Sequence, residues 1–222
     1  MNYEAPASHA SKAAFTAAGV MYMAGAQAGT ADLKPQELTR AVQAFLVDHG
    51  DLCLAMYTWP RDVTAADQQE NSHEAVQLPV LERLGVVRSV EVPDSASADM
   101  AAAAGPTKRY SLTAKGREYY LRKKLVTLNV HTQPEEHDAD FCVAHLTLDK
   151  VVKWSPPEPV HDHLQTVGKY TYHIKAAPFL SDPEAQKVFP IVDRIIRGAG
   201  TQIMTATVQL KDGRWVPVLP GQ

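Results

Sequence analysis

Apolar positions along this chain switch several times between helical and strand spacing, and each switch marks an element. Asp32-Leu-Lys-Pro-Gln-Glu-Leu38 opens a helix, with Pro35 in the first turn, where its missing N–H costs nothing. Leu38, Val42, Phe45 and Leu46 then recur at helical spacing as one apolar face, and Gly50 ends the run. Leu52 to Trp59 alternates as a strand does and stops at Pro60. Thr64 with Asp67 is a capped helix start, and the helical pattern runs on to Leu84. Pro79 either kinks it or belongs to a second helix beginning near Ser72. Val76, Val80 or Leu81, and Leu84 form the stripe this segment would bury.

Val86 to Val92 reads as a strand and Lys108 to Thr113 as its hairpin partner. The low-complexity stretch Asp94 to Pro106 between them is expected to be a mobile loop. Thr113 caps a last helix of this half, predicted through Lys124. The polar segment from His131 to Asp140 reads as a linker. Beyond it, Phe141 to Trp154 and Thr166 to Lys175 are strands, the second with Tyr170, Tyr172 and Ile174 on one face. Asp182-Pro-Glu opens a helix with the stripe Val188, Val192 and Ile195, ended by Gly198-Ala-Gly200. Ile203 to Leu210 and Trp215 to Leu219 flank Asp212-Gly213, a strong hairpin signal.

The order from Leu78-Pro-Val-Leu-Glu-Arg-Leu-Gly85, through two strands, to Thr113-Ala-Lys-Gly-Arg resembles the recognition helix, wing and closing helix of a winged-helix domain. The resemblance covers roughly Pro35 to Lys124 and implies a fold, since such scaffolds serve many functions. The expected fold class is therefore α+β. A winged-helix-like domain at 32–128 would precede, at 139–222, a small antiparallel sheet packed on one helix in the order β-β-α-β-β.

Composition bears on partners. At 222 residues with a formal net charge of −3, the chain has no global basic field to hold a polyanion. Lys108, Arg109, Lys115, Arg117, Arg122, Lys123 and Lys124 cluster on the second wing strand and the helix after it, where they would meet phosphates in a DNA-binding reading, with Lys108, Arg109, Lys115 and Arg117 as the contacts. Against that reading, the segment from Thr64 to Leu84 carries Asp67, Glu70, Glu74 and Glu82 with only Arg83 to oppose them. Nucleic acid is thus disfavoured as a partner, a protein partner stays open, and no membrane span is expected. The first 28 residues read as a signal peptide: the uncharged run Ala13 to Ala24 precedes Ala26-Gln27-Ala28, a small-x-small cleavage pattern.

Cys53 and Cys142 are the only cysteines, and in an exported chain a single pair is a candidate disulfide. Asp51-Leu-Cys-Leu-Ala-Met-Tyr-Thr58 and Asp140-Phe-Cys-Val-Ala-His-Leu-Thr147 share Asp, Cys, Ala and Thr at equal spacing, with each cysteine on an apolar strand face. Such strands are expected to lie against each other. His161 and His163 present two imidazoles at a chelating spacing but lack an identifiable third ligand. Glu135, Glu136 and His137 would join them only through folding. No phosphate-binding glycine loop, nucleophile elbow, His-Glu-x-x-His or Cys-x-x-Cys is present, so no cofactor and no catalytic residue is assigned.

Taken whole, the chain resembles a group of uncharacterised exported proteins of Gram-negative bacteria. The carrying stretches are Ala26-Gln-Ala, Gly50-Asp-Leu-Cys-Leu, Leu78-Pro-Val-Leu-Glu-Arg-Leu-Gly, Arg109-Tyr-Ser-Leu-Thr-Ala-Lys-Gly-Arg, Phe141-Cys, Leu148-Asp-Lys-Val-Val-Lys-Trp154, Tyr170-Thr-Tyr172 and Phe189-Pro190. The group has no settled activity, so the resemblance implies a periplasmic or secreted compartment and nothing about chemistry. Three functions are carried forward. They are an exported, non-enzymatic binding or structural protein, a cytoplasmic winged-helix regulator with a C-terminal sensing domain, and a hydrolase or metal-binding protein of unrecognised type.

Overall fold

Residues 33–92, 107–128 and 133–218 are described by the computed structural model. The expected signal peptide and the expected loop from Asp94 to Pro106 lie outside the described residues. In chain order the elements begin with α1 (Pro35–His49), β1 (Asp51–Cys53), β2 (Arg61–Val63), α2 (Ala65–Gln69), α3 (His73–Arg83), β3 (Val87–Val92) and β4 (Thr107–Leu112). A single helical turn, α4 (Ala114–Arg117), leads to β5 (Tyr120–Leu121), β6 (Leu125–Leu128), β7 (Pro134–His137) and β8 (Asp140–Trp154). β9 (Glu158–Val160), β10 (His163–Ala176), a 3₁₀ turn at Pro178–Ser181, α5 (Pro183–Val188), α6 (Pro190–Gly198), β11 (Met204–Lys211) and β12 (Arg214–Pro217) complete it.

The expected winged-helix domain followed by a small sheet on one helix is not what forms. The molecule is sheet-rich, and a large antiparallel sheet curls into a half-barrel. Its strand order is β1-β8-β10-β11-β12, with β5 added to β8 and β9 to β10. A separate three-stranded sheet runs β2-β4-β3, and β6 pairs with β7 where a linker was expected.

Two local causes account for the difference. First, the α1 stripe is spent on the large sheet. Leu38, Val42 and Leu46 are buried with Tyr170, Tyr172, Ala206 and Val208, so α1 does not close the three-stranded unit as a first winged-helix helix would. Burying leucines of this kind contributes about 1.5 to 3 kcal/mol each, which outweighs any local preference.

Second, the closing helix is one turn long. Thr113 caps it, its Oγ1 accepting the Gly116 N–H at 3.1 Å, but Tyr120 and Leu121 then pair with Phe141 and Asp140 of β8. Gly116 disfavours helix interior by about 1 kcal/mol relative to alanine. A side chain there would also strike the Val86 carbonyl. The chain therefore leaves the helix early and feeds the large sheet.

The apolar interior has two clusters that meet on β8. Met56, Val63, Leu78, Leu81, Val86, Tyr110 and Phe179 gather around Phe141 and Val143, while Leu146 belongs to the α1 cluster. β1, from the first half of the chain, pairs antiparallel with β8 from the second, and Asp32–Gln222 forms one compact unit. Along β10 the burial alternates on either side of Thr171, which is buried between two buried tyrosines. Tyr170 and Tyr172 face the α1 cluster, while Lys169, His173 and Lys175 are exposed on the other face.

Candidate functional site

Cross-strand register lines up three polar side chains on the uncovered face of the large sheet. Asp51 of β1 faces His145 of β8, and His145 faces Lys175 of β10. His145 Nδ1 lies 2.7 Å from Asp51 Oδ1, and Lys123 Nζ approaches Asp51 Oδ2 at 3.4 Å. The row forms one wall of a cleft of about 670 Å³, whose lining also includes Glu118, Tyr120, Arg122 and Cys142. The cleft follows from topology: β10 last pairs with β8 at Ala144, and β5 takes up the pairing only at Phe141 and Asp140.

The floor beneath the cleft is held by two devices. The Cys53–Cys142 disulfide, expected from the cysteine count, joins directly facing residues of β1 and β8, with Cα atoms 3.8 Å apart. Next to it, Asp140 is 4% exposed and accepts the N–H groups of Met56 at 2.7 Å and Phe141 at 2.6 Å. Burial pushes its carboxyl above the ordinary carboxylate range, against the pull of the bonds from Phe141, Met56 and Ala55 and of His137 nearby. Those bonds hold the turn after β1, where Ala55 takes a left-handed φ of 57°. The turn continues to Tyr57, whose carbonyl accepts the Tyr120 hydroxyl at 2.6 Å and whose ring stacks on His137 with centroids 3.5 Å apart.

Chemically, the cleft offers an imidazole oriented by a carboxylate, the cations Arg122 and Lys175, and the anion Glu118. His145 Nε2 has no protein partner among the described residues. Both sulfurs are consumed by the disulfide, so neither cysteine supplies a thiolate. The arrangement suits recognition of a small polar ligand through charge and hydrogen bonds.

The residues singled out from sequence sit elsewhere. Arg109 on β4 forms a bidentate pair with Asp62 of β2, both bonds at 2.7 Å, and this pairing holds the Asp62 carboxyl below its ordinary range. Lys115 Nζ donates to the Leu84 carbonyl at 3.1 Å and Arg117 to the Leu112 carbonyl at 3.2 Å, while Lys108 lies half-buried on β4. Three of the four acidic residues before Leu84 also have partners. Asp67 completes the α2 cap with Thr64, Glu74 pairs with Arg61, and Glu82 accepts from the Ser89 N–H and hydroxyl at 2.7 Å each.

His161 lies in the tight turn between β9 and β10 with a left-handed φ of 52°, and His163 begins β10; both are exposed. Glu135, Glu136 and His137 lie on β7, apart from that turn. Among the described residues no group of three or more His, Cys, Asp and Glu is arranged to hold a metal, and no helix is long and apolar enough to cross a membrane.

Sequence spacing does not mark Asp51, His145 or Lys175, and it marks Arg122 only as part of the basic cluster. Alternation along β8 does place His145 opposite in sense to Ala144 and Leu146. The register bringing it to Asp51, however, depends on an irregularity between Leu52 and Cys53 that no spacing rule encodes. Comparison of the chain with known protein families, with curated proteins and with solved structures gives no match.

Proposed function

We propose that this is an exported, non-enzymatic binding protein whose ligand site is the cleft walled by Asp51, His145 and Lys175. The observation that carries the reading is the Cys53–Cys142 disulfide, which locks the two strands forming that wall. Such bonds persist in oxidising compartments and are rare where thiols are kept reduced. The run Ala13 to Ala24 with Ala26-Gln27-Ala28, and the resemblance to exported Gram-negative proteins, support a periplasmic or secreted destination.

Opposite charges on the cleft walls favour a small molecule carrying a carboxylate and an amine, with Arg122 and Lys175 facing the first and Glu118 the second. Thermal unfolding of the oxidised protein with L-amino acids as probes tests the site. A ligand at about a hundredfold its Kd adds about 2.7 kcal/mol, so at least one probe is expected to raise Tm, and His145→Ala to abolish the rise. No shift with any amino acid would remove the cleft as this kind of site. N-terminal sequencing of the protein from its native host tests export: the mature chain is expected to begin at Gly29, and one beginning at Met1 would remove that part.

A further inference from the structure

The uncovered face of the large sheet carries charge in a pattern that the fold alone does not call for. On β10 the outward residues include Lys169, His173 and Lys175, and opposite them on β8 stand Lys153, Thr147 and His145. Thr171 between them faces Lys150. Lys150, Lys153, Lys169 and Lys175 are all exposed. None of the four has an ion pair among the described residues. Lys169 and Lys153 stand directly opposite each other, an arrangement that costs stability in a sheet.

The backbone is shaped to make this face. The β8–β10 register slips twice, between Lys169 and Tyr170 and between Thr171 and Tyr172, leaving Val152 and Asp149 as extra residues on β8. Such bulges re-aim side chains. Asp149 is turned onto the lysine-bearing face, where it accepts from Thr171 at 2.7 Å and lies 3.3 Å from His173 Nε2. Val152 is left exposed beside Lys153. In a chain whose formal net charge is −3, this face gathers four unpaired lysines beside the carboxylates Asp149, Asp51 and Glu158, and Asp149 and Asp51 are already engaged by Thr171 and by His145 with Lys123.

We propose that this face binds an acidic polysaccharide laid along β8 and β10. Charge complementarity requires an anionic occupant. Along a strand the outward positions recur about every 7 Å, so Lys169 and Lys175, three such steps apart on β10, with Lys153 and Lys150 facing β10 from β8, offer spaced cations to a linear chain of carboxylated sugars. The face also presents Thr147, Thr205 and Thr207 and the carboxylate of Asp149, which bond sugar hydroxyls. Nucleic acid fits less well. The tyrosines of β10 face the core and offer no platform for bases between the lysines, and Asp149 would repel phosphates. A lipid surface fits less well too, because the outward apolar side chains are the single valines Val152 and Val167. The proposal does not rest on the cleft as a small-molecule site.

Biolayer interferometry on the intact, disulfide-bonded chain tests it, with immobilised oligogalacturonate as probe and dextran as the neutral control. Binding to oligogalacturonate that weakens with salt, and none to dextran, is expected. The exposed double change Lys153→Glu with Lys169→Glu lies away from the cleft lining and should weaken binding about tenfold or more, with near-UV circular dichroism unchanged. Should that variant misfold, Lys153→Gln with Lys169→Gln takes its place with the same direction of effect. Absence of oligogalacturonate binding at low salt, unchanged affinity in a folded variant, or tighter binding to duplex DNA or to phosphatidylglycerol vesicles would each overturn the proposal.

Discussion

Asp140 shows how much one buried carboxylate can decide. It organises the turn after β1 through backbone N–H groups, yet burial raises its pKa above the ordinary value of 3.8. A folded pKa above the unfolded one means the group favours the fold when protonated. That contribution is fully present below the unfolded pKa and is lost as pH rises through the folded pKa. Asp140→Asn keeps an acceptor for the Met56 and Phe141 N–H groups and never ionises. Its stability relative to the native protein should therefore increase as pH rises from about 4. Asp140→Ala should cost about 1 to 3 kcal/mol, because it strands buried donors. Urea denaturation at several pH values measures both, and an Asparagine variant that loses ground as pH rises would contradict the assignment.

At the level of elements, what was legible in the sequence followed periodicity, and what was not followed contacts between distant segments. The α1 stripe, the Thr64 and Thr113 caps, the β3–β4 pairing and the Asp212-Gly213 hairpin all rest on local patterns, and all are present. β2, β5 and β9 are two or three residues long and exist only because a longer strand offers them an edge, so no local pattern announces them. Gly50 illustrates the same limit. It ends α1 as read, but its φ of −79° suits any residue. Glycine is needed because a Cβ there would meet the backbone carbonyls of Leu46 and Leu146, where the end of α1 presses on β8. Gly50→Ala should destabilise by about 1 to 3 kcal/mol through overpacking. Gly85→Ala has open space around it, and its penalty comes from a positive φ of 71°. A thermal melt comparing the two separates crowding from conformation: relief by trimming a neighbour is impossible at Gly50, where the obstacles are main chain.

For the whole molecule, the consequential fact is that both apolar clusters share β8, with Phe141 and Val143 in one and Leu146 in the other, while Leu52 of β1 packs against both. The sequence pairs the two cysteines and predicts that their strands lie together, but its local patterns read as a winged-helix-like domain followed by a small sheet packed on one helix. The half-barrel was hidden because β1 and β5 complete, and α1 covers, a sheet whose long strands come later in the chain, and helical or strand spacing carries no information about such partners. The disulfide closes a separation of 89 residues between these parts, for which the chain-entropy model gives about 4 to 5 kcal/mol of stabilisation as an upper figure. In a chain of this size that corresponds to a fall in Tm of up to roughly 8 to 20 °C on reduction or in Cys53→Ala. Because β8 spans both clusters, removing the covalent tie should lower the midpoint without dividing the transition. Calorimetry of the oxidised and reduced protein checks this: a single peak in both states is expected, and two resolved peaks after reduction would show that β8 does not couple the clusters and that the disulfide alone makes them unfold together.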